Sequence, residues 1–248
     1  MYKNRYGFVL VFLSNFFIKN LMAQLPDGVI FHSSESIEQS FMANGKRWLS
    51  LIDNSTIDVG LYKLKVGERD PQPVHEYDEI YYVQQGEAKL LAGDSTFNAS
   101  AGSLFYVKAG VTHRFFDITK DISVIVLFSK AKPSEKDIMA KGFAQKEIEK
   151  TALPDSIRWA VFHRCATMVI GIYLLPKVTG GDSTQLHKMD EVNVVLKGEG
   201  KFSVDGKDMK VKKGDIVFVP KGYGHYFHSL KNDFEVMILF EKKSMQAK

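Results

Sequence analysis

Residues 185–198 read QLHKMDEVNVVLKG and residues 214–225 read GDIVFVPKGYGH, and the fold follows from where these two stretches put their polar side chains. Gln185 and His187 differ by two and Glu191 follows by four more, so all three point to one face of an extended chain. The apolar run Val192 to Leu196 comes next, and Lys197-Gly198-Glu199-Gly200 has the composition of a hairpin turn. His225 arrives from another strand, after Gly222 and Gly224, which let the backbone turn tightly. A glutamine, two histidines and a carboxylate are donors that a borderline divalent metal accepts. Two strands facing each other across a barrel interior gather them without a helix.

The pattern occurs twice. Subtracting 112 from 187, 191, 198, 214, 222 and 225 gives His75, Glu79, Gly86, Gly102, Gly110 and His113. Upstream the offset is 111, pairing Arg47-Trp48 with Arg158-Trp159, and Gly60 and Tyr62 with Gly171 and Tyr173. A repeat of about a hundred residues means two copies of one domain, beyond the short periods of solenoids. The expected organisation is a leader at 1–23, a first domain at 24–130, a helical linker at 131–152 and a second domain at 153–248.

These residues resemble the cupin family, and their duplicated arrangement resembles a bicupin. The family's first motif is a Gly, five residues, His-x-His, three or four residues, Glu, six residues and Gly. Its second is Gly-x5-Pro-x-Gly-x2-His. The second copy has Gln185 at the first histidine and Thr179 at the opening glycine. The first copy keeps Gly67, His75, Glu79, Gly86, Gly102, Gly110 and His113, with Pro73 at the first histidine and Lys108 at the motif proline. The resemblance implies an all-β chain of two tandem jelly-roll-like barrels with short flanking and linker helices, and a homodimer through barrel edges. It also implies a divalent metal, one of Fe, Mn, Zn, Ni or Co.

Gln185, His187, Glu191 and His225 are the stronger expected metal site, similar to the Gln-x-His zinc site of cupin-type phosphomannose isomerases. His75, Glu79 and His113 resemble the two-histidine, one-carboxylate triad of non-haem iron enzymes. Pro73 supplies no donor, so a vestigial, merely hydrogen-bonded first site is the alternative. Tyr81 shares parity with Glu79, and its phenol either donates a proton in catalysis or packs; Asn193 takes the matching place in the second copy. Asp78 and Asp190 have the opposite parity and are expected to face outward. His32, His163 and His228 are expected to be solvated or hydrogen-bonded, and Cys165, the single cysteine, to be a buried thiol.

The functional expectation is an exported, metal-dependent enzyme acting on a small polar molecule, carbohydrate-derived or an organic acid. Dioxygenase, isomerase, lyase and decarboxylase chemistry stay open, because the sequence offers no general base beyond the ligands. The alternative is a non-catalytic ligand-binding or scaffold protein with a structural metal. Residues 1–23 read as a signal peptide: Lys3 and Arg5, an apolar stretch from Phe8 to Ile18, then Leu21-Met22-Ala23 before Gln24. Ser14, Asn15 and Lys19 interrupt a stretch already shorter than the roughly 18 to 20 apolar residues of a membrane span, so stable insertion is not expected. A periplasmic or secreted location follows. Removing Lys3, Arg5 and Lys19 from 33 basic residues leaves 30 against 29 acidic ones, which gives no electrostatic case for nucleic acid.

Strands are expected through aromatic and β-branched runs such as Ile80 to Val83, Leu104 to Val107, Ile122 to Phe128, Met168 to Leu175, Ile216 to Val219 and Phe234 to Phe240. Two short helices are expected, one capped at Ser36 and packed on the first barrel, the other capped at Ser134 and running through Met139.

Overall fold

Runs of β-branched and aromatic residues broken by glycine turns become strands throughout the computed structural model, which describes residues 25–243. The expected signal peptide lies outside the described residues. The first half contains β1 (Ile30–His32), α1 (Ser34–Asn44), β2 (Trp48–Asp53), β3 (Ile57–Leu64), β4 (Asp78–Ala92), β5 (Ser95–Ser100), β6 (Ser103–Val107) and β7 (His113–Ser129). Then come β8 (Ala140–Ala144), α2 (Gln145–Glu149), β9 (Arg158–Arg164), β10 (Met168–Leu175), β11 (Asp190–Lys197) and β12 (Glu199–Val204). β13 (Lys207–Lys212), β14 (Ile216–Val219), β15 (His225–His228) and β16 (Phe234–Glu241) complete the second half. The chain is all-β, as expected.

The duplication is exact in topology. One sheet runs β1-β14-β11-β16-β10-β9, and the other repeats that order as β8-β6-β4-β7-β3-β2. One outer strand of each sheet comes from ahead of the other copy: β1 precedes the first copy yet pairs with β14 of the second, and β8 precedes the second yet pairs with β6 of the first. Each copy thus lends its leading strand to the other.

Three corrections follow from these pairings. Helix α1 is capped by Ser33, whose hydroxyl accepts from the Ser36 amide at 3.1 Å, and it ends at Gly45 in the left-handed region, so it is shifted from the expected Ser36 start. Its buried residue, Ile37, enters the core shared by both halves rather than the first barrel alone. No helix starts at Ser134; a turn there leads into β8, because the open edge of β6 needs a partner for its backbone groups. Gly142 permits that pairing, since a Cβ would sit 2.8 Å from the Phe97 ring.

The expected hairpin at Lys197–Gly200 does not form either. β11 and β12 belong to different sheets, and Gly198, at φ 91°, turns the chain from one into the other. A Cβ there would meet the Asp233 carbonyl oxygen at 2.6 Å. Gly86 makes the matching bend within the long β4, at φ 97°.

Apolar side chains form three clusters: one inside each barrel, and one between the barrels built from both halves. Strands β4 and β11 are buried on both faces, which is why Asp78 and Asp190 do not face outward. Asp78 lies against the second copy, accepting from the Thr167 hydroxyl at 2.7 Å. Asp190 lies against the first, accepting from the Thr56 hydroxyl at 2.8 Å. These two bonds are related by the duplication and bolt the barrels together at both ends of the shared core. Thr167→Val is expected to lower stability by about 1.5–3 kcal/mol, the usual worth of a hydrogen bond to a charged group. Urea unfolding of the whole chain reads it, and a change below about 0.5 kcal/mol would remove the bolt from the account of the interface.

Candidate metal centre

In each barrel the histidine before the fourth or eleventh strand is set by one backbone bond from a motif glycine. Gly110 N donates to the His75 carbonyl at 2.9 Å, and Gly222 N donates to the His187 carbonyl at 3.0 Å. Glu79 on β4 and Glu191 on β11 point inward by strand parity, and His113 and His225 open β7 and β15. The ring Nδ1 of His113 faces the Val111 carbonyl at 2.8 Å, and that of His225 faces the Tyr223 carbonyl at 2.9 Å. Each bond leaves Nε2 directed at the glutamate.

The two donor sets superpose in kind. His75, Glu79 and His113 offer ligand atoms all within 4.8 Å of one another, and so do His187, Glu191 and His225. His75 Nδ1 lies 2.9 Å from Glu79 Oε2, and His187 Nδ1 lies 2.6 Å from Glu191 Oε2. Burial raises the Glu191 pKa, yet bonds from His187 and His225 prevail and hold it down to about 2. The carboxylate is ionised and ready to act as a ligand. Burial lowers the His75 and His225 pKa values, but the facing glutamates win and raise both.

A divalent ion fits these residues. Glu79 Oε1 and His113 Nε2 are buried and face each other at 3.0 Å as an ion pair without hydrogen-bond geometry, so neither has a hydrogen-bond partner. Buried polar atoms without partners are uncommon, and an ion between them supplies the missing one. Nitrogen and carboxylate donors in this mixture suit iron, manganese, nickel, cobalt or zinc.

Access differs between the copies. In the second barrel Gln185, His187, Glu191 and His225 all line one cavity of about 370 Å³. Gln185 is brought there by a backbone bridge to His225, although its side-chain amide donates to the Ser183 carbonyl. In the first barrel a cavity of about 630 Å³ reaches His75 and Pro73, while Glu79 and His113 are buried and do not line it. Tyr81 is fully buried there, donates its one hydroxyl proton to Glu79 Oε2 at 2.8 Å, and lies 2.9 Å from Gln72 Oε1. Burial first, then the Glu79 charge, pushes the phenol pKa well above its ordinary value, so Tyr81 acts as a hydrogen-bond donor to the ligand set. Asn193, in its place in the second barrel, is smaller and has no hydrogen-bond partner on either amide atom.

Several residues of the site were not singled out from sequence. Asp70 and Asp182 stand at the offset of 112. Each accepts from a tyrosine hydroxyl, Tyr62 at 2.6 Å and Tyr173 at 3.0 Å, and from the amide of Phe115 or Phe227. The same self-comparison that found the histidines carries this signal. Phe128 and Phe240, also 112 apart, meet His75 and His187 edge-on at 4.9 and 4.7 Å between ring centroids. Trp48 and Trp159 flank those phenylalanines. Of the other histidines, His32 and His228 are hydrogen-bonded as expected, whereas His163 is buried with its Nε2 unpartnered.

The Cupin domain model matches residues 60–129 and again 172–240, more than half of the chain. This chain belongs to the cupin family. Among its relatives, an uncharacterized protein of Streptomyces coelicolor is 38% identical over 95 residues, 38% of this chain and 90% of that protein. An acireductone dioxygenase of Tuber melanosporum is 36% identical over 63 residues, 23% of this chain and 36% of the enzyme. An oxalate-binding protein of Thermotoga maritima is 37% identical over 59 residues, covering 23% of this chain and 49% of that one. In three dimensions this cupin is similar to a salicylate 1,2-dioxygenase of Pseudaminobacter salicylatoxidans, with a TM-score of 0.73 at 13% identity over 88% of this chain and 86% of that one. That likeness concerns the two-barrel fold.

Proposed function

We propose that this cupin is a metal-dependent enzyme whose second barrel acts on a small carboxylate-bearing molecule, with dioxygenase chemistry the class to test first. One observation carries the reading: all four expected donors of the second barrel line a single cavity. The ion would be held by His187, Glu191 and His225, with Gln185 beside them. Once bound it supplies Lewis acidity, or electrons for dioxygen chemistry if it is iron.

The cavity wall argues for an anionic substrate. Arg164, the last residue of β9, lines it, exposed, and its guanidinium makes no hydrogen bond or ion pair among the described residues. The place matching Arg164 in the first copy is Asp53, which pairs with Lys130, and the place matching Val169 is Asp58. Asp58 lines the first cavity with one buried, unpartnered carboxylate oxygen. The copies therefore share a donor set and aromatic walls but carry opposite charge at the rim, so they suit different ligands. In the second cavity Arg164 orients a carboxylate, Trp159 and Phe240 cover an apolar body, and the histidines and Glu191 face the reacting end. The acireductone dioxygenase relative supports the oxygenase class.

Dioxygen uptake by the iron-loaded chain, followed with salicylate, gentisate, an acireductone and oxalate, tests this. Uptake with one of the first three supports the enzyme. Tight binding of oxalate with no uptake on any of them would favour the second reading, a carboxylate-binding protein, which the oxalate-binding relative and the free Arg164 also support. Under either reading Arg164→Ala is expected to weaken the carboxylate ligand by about tenfold or more, the worth of one charge-assisted contact. Calorimetry would show the loss, and an unchanged affinity would remove Arg164 from the site. We further propose that the chain is exported and that residues 1–23 are removed. The mass of the protein recovered from the native cell envelope and medium tests both.

A further inference from the structure

We propose that a separate site between the barrels, formed by Cys165, Asp78 and Asp137, binds a thiophilic divalent cation of the zinc class. The Cys165 sulfur and one oxygen from each aspartate lie within 4.8 Å of one another. Asp78 is fully buried, Cys165 is 6% exposed, and Asp137 is half-buried on the turn before β8, which leaves a way in for an ion. A thiolate and two carboxylates give three donors that zinc or cobalt takes in tetrahedral geometry, with water in the fourth position.

Two further observations point to a ligand. His163 is 8% exposed and its Nε2 has no hydrogen-bond partner; Tyr106 is wholly buried, and its hydroxyl faces Asp78 without full hydrogen-bond geometry. The two rings lie 4.0 Å apart between centroids, tilted at 36°; the charges of Asp78 and Asp137 act on both side chains, and those of Lys141 and Lys242 act on His163 as well. The other groups facing this place are already held. Thr167 bonds Asp78 and lies 3.2 Å from the Cys165 sulfur, the Ala109 amide donates to Asp78, and the Ala166 amide donates to Asp137. The thiol itself reaches Asp78 only at 3.9 Å. Such outer contacts fix ligands in orientation.

The duplication supplies an internal control. At the opposite end of the shared core, Thr56 and Asp190 repeat the bolt of Thr167 and Asp78. There the places of Cys165, His163 and Tyr106 are taken by Asn54, Ile52 and Phe218. The bolt therefore works with an apolar isoleucine and phenylalanine beside it. The buried cysteine, histidine and tyrosine at one end exceed what joining the barrels requires.

Binding replaces the thiol proton, which leaves to solvent as the sulfur–metal bond forms. Cobalt(II) is the probe, because thiolate-to-cobalt charge transfer absorbs in the near ultraviolet and nitrogen or oxygen ligands alone do not produce that band. Cys165 is the only cysteine, so the band reports this place and not the barrels. The full chain titrated with cobalt(II) is expected to develop the band, and the Glu191→Ala/His225→Ala variant is expected to keep it, whatever the fate of the barrel site. Cys165→Ser should lose it while retaining cobalt elsewhere. Asp137→Asn, on a partly exposed turn that tolerates substitution, should raise the cobalt concentration for half-saturation at least about tenfold. A folded wild-type chain that shows no thiolate band at saturating cobalt would overturn the proposal. So would an Asp137→Asn titration matching the wild type.

Discussion

The Glu191→Ala/His225→Ala variant is expected to hold one equivalent of metal less than the wild-type chain, measured by plasma mass spectrometry on protein purified without chelators or a histidine tag. Outer-shell changes at metal sites weaken binding by roughly 10- to 100-fold. Removing two donors outright exceeds that range, and what remains is His187 with a Gln185 whose amide is turned to Ser183. Glu191 is the larger loss, because its ionised carboxylate faces both histidines, at 2.6 and 3.2 Å. Equal metal in variant and wild type would take the ion out of the second barrel. The matching Glu79→Ala/His113→Ala variant asks the same of the first barrel. Its buried oxygen and nitrogen, paired only with each other and without a hydrogen bond, call for an ion even though Pro73 gives no donor and Tyr81 already occupies one glutamate oxygen. The difference between each variant and the wild type is the informative quantity, since it does not depend on metal held elsewhere in the chain.

Both histidine–glutamate sets were legible in the sequence, because strand parity and a fixed offset are local properties that survive without any knowledge of the partner strand. Parity also placed Tyr81 correctly on the Glu79 face. The same rule failed for Asp78 and Asp190. It reports the opposite face of a strand but not what covers that face, and here the cover is the other barrel instead of water. Residues 131–152 were hidden for a related reason. β8 is a five-residue edge strand whose pairing is dictated by the open side of β6, a tertiary demand that a lysine- and glutamate-rich segment does not announce. Gly198 read as a hairpin because a glycine pair after an apolar run marks a turn of either kind. Only the strand pairing distinguishes a reversal within a sheet from a bend between sheets. Arg164 could be found only by comparing the copies where they differ.

The repeated Asp–Tyr clasp behind each site leads to the second large effect, and the two copies should respond unequally. Asp70 accepts from the Tyr62 hydroxyl, the Phe115 amide and the Gln72 side chain, all with its carboxylate buried. Asp70→Ala strands a buried phenol and a buried amide, each a loss of about 1.5–3 kcal/mol, so about 3–6 kcal/mol of stability should disappear. Asp182 makes the matching bonds to Tyr173 and Phe227, but burial raises its pKa, so replacing it also relieves a desolvated carboxylate. Asp182→Ala should therefore destabilise less, by about 2 kcal/mol. Metal affinity should follow the reverse order. Phe227 lies two residues beyond His225 on β15, in the copy whose donors all reach the cavity, and freeing its amide loosens that histidine. Asp182→Ala is expected to weaken the second barrel's metal by about 10- to 100-fold while Asp70→Ala leaves that barrel unchanged. Urea unfolding and metal titration on the same two proteins decide the matter. Equal loss of metal affinity in both would mean that the clasp acts through global stability, because the barrels share one core and soften together, and not through the position of His225.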